Sequence, residues 1–83
     1  MFFVYAIVSV SSKRIYIGHT KDPIQRLAYH NSGYVQSTAK DAPWKLLALE
    51  QTTSRSEARW IERQLKNSKG KRTKWVELNR VER

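Results

Sequence analysis

Eighty-three residues allow one small hydrophobic core and leave no room for a second domain. Cysteine is absent, which excludes disulfides and thiolate metal sites as supports for that core. Sixteen Lys and Arg against seven Asp and Glu give a formal charge of +9, and a surplus of that size in so small a domain points to a polyanionic partner, nucleic acid first, since neutralising phosphates releases counterions. The longest apolar stretch, Met1 to Val10, is too short to span a bilayer and has no basic leader before it, so the reading is a single domain over residues 1–83 in the cytoplasm, with no membrane partner.

From the N-terminus, Phe2 to Val8 is apolar on both parities and rich in aromatic and β-branched residues, which predicts a strand buried on both faces and central in its sheet. Ser11-Ser12-Lys13 is a polar turn, after which Arg14 to Gly18 alternates, with Ile15 and Ile17 on one face and Arg14, Tyr16 and Gly18 on the other. A hairpin with the serines at its tip sets Tyr5 opposite Gly18 and Ile7 opposite Tyr16, so both phenols project from one face and Gly18 leaves open space beside Tyr5.

Asp22-Pro23 opens a helix, with Asp22 as N-cap, Pro23 in the first helical position and Gln25 completing a capping-box pattern, and Gly33 closes it. Ile24, Leu27 and Ala28 are its expected core stripe, while Arg26 and His30, four apart, share a different face and converge on one ligand. Tyr34 to Pro43 reads as polar and irregular, and Trp44 to Gln51 as a third strand. Ser54 and Glu57 form a second capping box, which explains Glu57 on structural grounds. The helix that follows buries Ala58, Ile61 and Leu65 and ends near Lys69-Gly70. At about 100° per residue, Glu62 falls at the margin of that stripe, beside a basic strip of Arg55, Arg59, Arg63 and Lys66 suited to nucleic-acid phosphates. Residues 71–83 read as a short third helix carrying Trp75, Val76 and Leu78 onto the core. The fold class is α/β of the α+β kind, a three-stranded antiparallel sheet flanked by about three helices.

Two phenols, a guanidinium and an imidazole in one short stretch are the means for proton transfer and charge stabilisation at a phosphodiester. In order and spacing, Phe3-Val4-Tyr5, Tyr16-Ile17-Gly18, Arg26, His30 and Glu62 resemble the motifs of the GIY-YIG nuclease superfamily. More narrowly, His30-Asn31-Ser32-Gly33, Pro43-Trp44-Lys45-Leu46 and Ser56-Glu57-Ala58 resemble its small stand-alone bacterial members. The resemblance implies metal-dependent phosphodiester hydrolysis, with Tyr5 helping to deprotonate an attacking water, His30 or Tyr16 assisting, and Arg26 stabilising phosphoryl charge. It implies that Glu62 is the main protein ligand of one Mg²⁺ or Mn²⁺, weakly bound without substrate. An ordinary phenol has a pKa of about 10, so a neighbouring Arg26, His30 or metal-bound water must favour the phenolate or relay its proton. Members often carry a Lys after the second motif and an Asn near the domain end; His19 or Lys21 stands for the first, and Asn79 aligns loosely with the second. The expected substrate is DNA rather than RNA, branched or damaged rather than of fixed sequence, and the expected state a monomer or weak homodimer. The rival readings are a nucleic-acid-binding module of the same fold with little catalysis, and a protein-interaction subunit.

Overall fold

The central strand accounts for the apolar residues on both its parities. In the computed structural model, which describes residues 1–81, β1 (Phe2–Ser9) lies between β2 (Ile15–Thr20) and β3 (Trp44–Thr52) in an antiparallel sheet of order β2-β1-β3. Val4 and Ala6 point into one helical layer, Tyr5 and Ile7 into the other. The hairpin register is the expected one, with Tyr5 paired to Gly18 and Ile7 to Tyr16. At its tip the Ser9 hydroxyl accepts from the Ser12 amide, and Lys13 takes the left-handed conformation, φ 67°. In β3 the register slips between Ala6 and Ile7, which pair with Ala48 and Leu46 and leave Leu47 as a bulge residue. Leu47 and Ala48 therefore face one layer, and Leu46 and Leu49 the other.

Four helices cover the two faces: α1 (Pro23–Ser32) and α2 (Gln36–Ala39) on one, α3 (Arg55–Asn67) and α4 (Lys69–Asn79) on the other. This is the expected α+β architecture, and α2 is the addition, lying in the stretch expected to be irregular. α1 starts where Asp22 accepts from the Gln25 amide and ends at Gly33, whose φ of 90° only glycine adopts without strain. The Gln25 side chain does not close the capping box; the Asp22 amide donates to the Thr20 hydroxyl instead. Ser54 caps α3 by accepting from the Glu57 amide, but the Glu57 carboxylate reaches Thr53 rather than Ser54.

Three core assignments need correcting. On α1, Ile24 is 81% exposed and Ala28 is also outside, whereas Pro23, Arg26, Leu27 and His30 turn inward. Those four follow the i, i+3, i+4, i+7 spacing of a single helical face, so Arg26 and His30 share the sheet-facing stripe with Leu27 rather than occupying a separate one. α3 ends at Asn67, because Ser68 leaves helical geometry and caps α4 by accepting from the Lys71 amide; Gly70 lies inside α4. α4 buries Trp75 and Val76 but leaves Leu78 77% exposed. Residues 82 and 83 of the expected C-terminal helix lie outside the described residues, and no helix among those described is long and apolar enough to cross a membrane.

Candidate active site

Tyr5 and His30 meet under α1, both nearly inaccessible to solvent, with Tyr5 Oη 2.9 Å from His30 Nε2. The direction of that hydrogen bond follows from both sides of the ring. His30 Nδ1 lies 2.8 Å from the Thr38 hydroxyl, which donates its single proton to the Val35 carbonyl at 3.1 Å. Among the described residues His30 Nε2 is the acceptor within reach of the buried Tyr5 hydroxyl, so the arrangement that pairs every donor has Nδ1 carrying the hydrogen, Nε2 bare and the Thr38 hydroxyl accepting. Tyr5 then donates to His30, and a directed chain runs from Tyr5 through His30 and Thr38 to the Val35 carbonyl.

The electrostatics agree with this assignment. Burial, helped by the Arg26 guanidinium, holds the His30 pKa below its ordinary value, so the ring is neutral and able to accept a proton. Burial pushes Tyr5 up to about 12; Arg26 opposes the shift, and Tyr16 and Glu62 reinforce it. The sequence allowed two routes for Tyr5, a stabilised phenolate or a proton relay. Desolvation outweighs Arg26, so with no cation bound Tyr5 rests as the protonated phenol.

The rest of the site is built around this pair. Tyr16, half-buried on the edge strand β2, sets its ring 4.9 Å from that of His30 and 6.3 Å from that of Tyr5. Gly18 does not leave open space: a Cβ there would sit 2.6 Å from Tyr5 Oη and 2.8 Å from Cζ, so the phenol lies directly over the glycine backbone. Arg26 enters no ion pair among the described residues and lines a groove with Tyr29, Tyr34, Val35 and Gln36. Behind His30, Asn31 clamps both backbone groups of Trp44, and the Trp44 indole donates to the Thr38 carbonyl at 2.9 Å. Thr38 is thus held from two sides, and it is the site residue the sequence did not mark, since neither helical nor strand periodicity singles it out in a polar segment.

Glu62 approaches from the opposite layer around the β2 edge. With Ala58, Ile61 and Leu65 it follows the inward spacing of α3, and its carboxylate is partly buried. Its Oε1 lies 2.6 Å from His19 Nδ1 and its Oε2 2.6 Å from Lys66 Nζ. Burial alone would raise the Glu62 pKa, but the hydrogen bonds from His19 and Lys66 outweigh it and hold the carboxyl below its ordinary value. Lys66 Nζ also stands 5.8 Å over the Tyr16 ring, so the Glu62 ion pair and the tyrosine pair adjoin.

The GIY-YIG catalytic domain family matches residues 1–75, from β1 into α4. The chain belongs to the GIY-YIG family. No curated protein matches it. GIY-YIG domains are typically nucleases acting on nucleic acid, and they generally use a divalent metal.

Among the described residues of this GIY-YIG domain no three His, Asp or Glu side chains converge as a metal cage. Among the described residues Glu62 is the one carboxylate lining the cleft formed with His19, Arg59, Arg63, Lys66 and Asn67. One ionised carboxylate suits a hard cation that takes its remaining ligands from water and phosphate, and the hydrogen bonds from His19 and Lys66 leave part of the lone-pair capacity of Glu62 open. The donor chemistry therefore fits a hard divalent cation.

The substitutes for the family's other motif residues divide. His19 joins the site as the partner of Glu62, whereas Lys21 points back to the Phe2 ring, 5.7 Å from its centroid. Asn79 donates to the Trp75 carbonyl within α4, a helix packed on α3 and β3, and the structure does not bring it to the site. Of the basic strip, Arg59, Arg63 and Lys66 line the Glu62 cleft and are exposed, while Arg55 sits over Phe2, 5.2 Å from its ring centroid.

Proposed function

We propose that this GIY-YIG domain is a divalent-metal-dependent endonuclease that hydrolyses DNA phosphodiester bonds, with preference for branched, damaged or otherwise irregular structures. The observation that carries the reading is the directed chain from Tyr5 to a neutral His30 whose Nε2 is free to accept. In the reaction Tyr5 takes the proton of the attacking water as its own passes to His30, and Thr38 keeps the imidazole in the accepting tautomer. Burial pushes Tyr5 up to about 12 and holds His30 below its ordinary value, so a phenolate–imidazolium pair formed in advance is unfavourable, and a concerted relay avoids forming it.

Arg26, beside the phenol and in no ion pair among the described residues, neutralises charge on the phosphoryl oxygens with its two-pronged guanidinium. Tyr16 walls the same pocket and orients the nucleophile. Glu62 would hold the divalent ion, which when bound supplies Lewis-acid stabilisation of the leaving oxygen. Arg59, Arg63 and Lys66 hold the backbone by phosphate contacts, which are alike in every sequence and so favour recognition of shape.

The test is to incubate the chain and a Glu62→Ala variant with branched, nicked and linear DNA, with Mg²⁺ or Mn²⁺ present or chelated. The reading expects metal-dependent cutting by the wild type, strongest on branched DNA, and none by the variant; cutting that survives the substitution sinks the metal assignment. A weakly catalytic binding module is the second reading, favoured by the engagement of both Glu62 oxygens by His19 and Lys66, and binding without cutting would select it.

A further inference from the structure

Trp60 is 63% exposed on the outer face of a helix whose other outward residues are polar or basic. It takes no part in the core among the described residues, where the stripe of α3 is Ala58, Ile61 and Leu65. Ser56, Arg59, Trp60 and Arg63 line a shallow concave site of their own, and Arg59 and Arg63 also line the Glu62 cleft.

Helical geometry orders these side chains. At about 100° per residue, going round α3 away from its core stripe, the order is Glu62, Arg55, Lys66, Arg59, Arg63, Ser56 and Trp60. The basic strip thus fills the arc between the acid of the candidate site and the exposed indole. That arc spans about 160°, roughly 15 Å along the surface of a helix 10–12 Å across. A backbone laid on the cations from Glu62 outward carries its bases to Trp60.

Charge decides among occupants. A second copy would bring another +9 chain, with its own Arg59 and Arg63, against the same face. A polyanion with flat apolar faces satisfies both features at once: phosphates on the arginines and a base on the indole. Bases paired inside a duplex are stacked on both faces, so away from the duplex ends an unpaired base is the one that presents a free face.

We propose that the outer face of α3, Trp60 flanked by Arg59 and Arg63, is a stacking seat for an unpaired nucleic-acid base near the phosphate held at the Glu62 cleft. This deepens the nucleic-acid reading above by naming the selected feature, a single-stranded tail, gap or branch beside the cut. The seat measures strandedness, and the arginines bind phosphate whatever the sequence.

The test uses the full chain in chelator, so that binding is read without cleavage. Trp44 and Trp75 are buried, so quenching of tryptophan emission by bound bases reports on Trp60. Short oligothymidylate and the same duplex with and without a single-stranded tail are titrated against wild type, Trp60→Ala and Trp60→Phe, with thermal melts to show that the variants fold. The expected result is quenching of the wild type by oligothymidylate and by tailed duplex but not by blunt duplex. Trp60→Ala should lose about 5- to 30-fold in affinity for single-stranded DNA, with Trp60→Phe in between and duplex affinity unchanged.

Equal affinity of wild type and Trp60→Ala for single strands overturns the proposal. So does self-association of the wild type that Trp60→Ala abolishes, which would assign the face to a second copy, or failure of the wild type to bind either DNA form, which would leave it to a protein partner. A chain that shows Trp60-dependent binding yet cuts nothing when metal is restored upholds the seat and overturns the nuclease reading. One that cuts but binds independently of Trp60 does the reverse.

Discussion

Tyr5 donates to His30 Nε2 at 2.9 Å in the tautomer in which Thr38, on the other side of the imidazole, accepts from Nδ1. A hydroxyl within a four-residue helix thereby supports the accepting state of a histidine on another element. The tyrosine over the glycine edge and the neutral histidine adjoin the partly buried glutamate around β2, an outer strand at which Lys66 reaches from α3 over the Tyr16 ring.

Removing the Thr38 hydroxyl tests that support. Thr38→Val leaves the His30 Nδ1 hydrogen buried without an acceptor, a loss of about 1–3 kcal/mol that lowers Tm by several degrees in a domain of this size. It also frees the ring to adopt the other tautomer, so kcat should fall further than stability alone explains, with KM little changed. Thr38→Ser restores the hydroxyl and should restore kcat. A Ser variant as slow as the Val variant would show that Thr38 acts only through packing.

The pKa shifts predict a stability plateau with three edges. His30 titrates below its ordinary 6.5 in the fold, so on acidification the unfolded chain binds its proton first and stability falls as pH drops below about 6.5. Glu62, held below 4.5, gives stability that is lost as pH falls further through its folded pKa. Tyr5 ionises first in the unfolded chain, so stability also declines as pH rises from 10 toward about 12. Denaturant midpoints across this range check the pattern, and His30→Gln should remove the first edge while leaving the others.

Gly18→Ala places a methyl carbon 2.6 Å from Tyr5 Oη, a contact that the rigid ring relieves only by moving off His30. The expected cost is about 1–3 kcal/mol, with loss of most activity. A stable, fully active Gly18→Ala variant would mean that the phenol position is not critical.

Much of this was legible in the sequence because local chemistry and tertiary structure agree there. The hairpin register follows from the turn at Ser11-Ser12, and both helix starts follow from Asp22 and Ser54, whose caps form as their spacing implies. α1 was harder because its inward stripe is built from Pro23, Arg26, Leu27 and His30, of which only Leu27 is a conventional core residue. A hydrophobicity pattern follows Ile24 and Ala28 to solvent instead. Thr38 escaped because its significance lies in one hydrogen bond across eight residues, and Leu78 because α4 needed only Trp75 and Val76 to seal its contact. Glu62 was legible as a marginal residue on α3, but its pairing with His19 depends on a 43-residue separation that no local pattern encodes.

Separating affinity from chemistry gives a further prediction. Glu62→Ala removes an anion from a cleft lined by Arg59, Arg63 and Lys66 and frees Lys66, so binding of branched DNA in chelator should be unchanged or tighter. Fluorescence anisotropy checks this, and weaker binding would show that Glu62 supports the cleft rather than its chemistry.

The relay through Tyr5 is tested most directly by single-turnover cleavage of a labelled branched duplex at saturating protein and Mg²⁺, wild type against Tyr5→Phe. The substitution keeps the ring over Gly18 and deletes only the oxygen that faces His30. We predict a fall of about 10²- to 10⁴-fold in the cleavage rate, with affinity in chelator unchanged. Cleavage by Tyr5→Phe at the wild-type rate would contradict the relay.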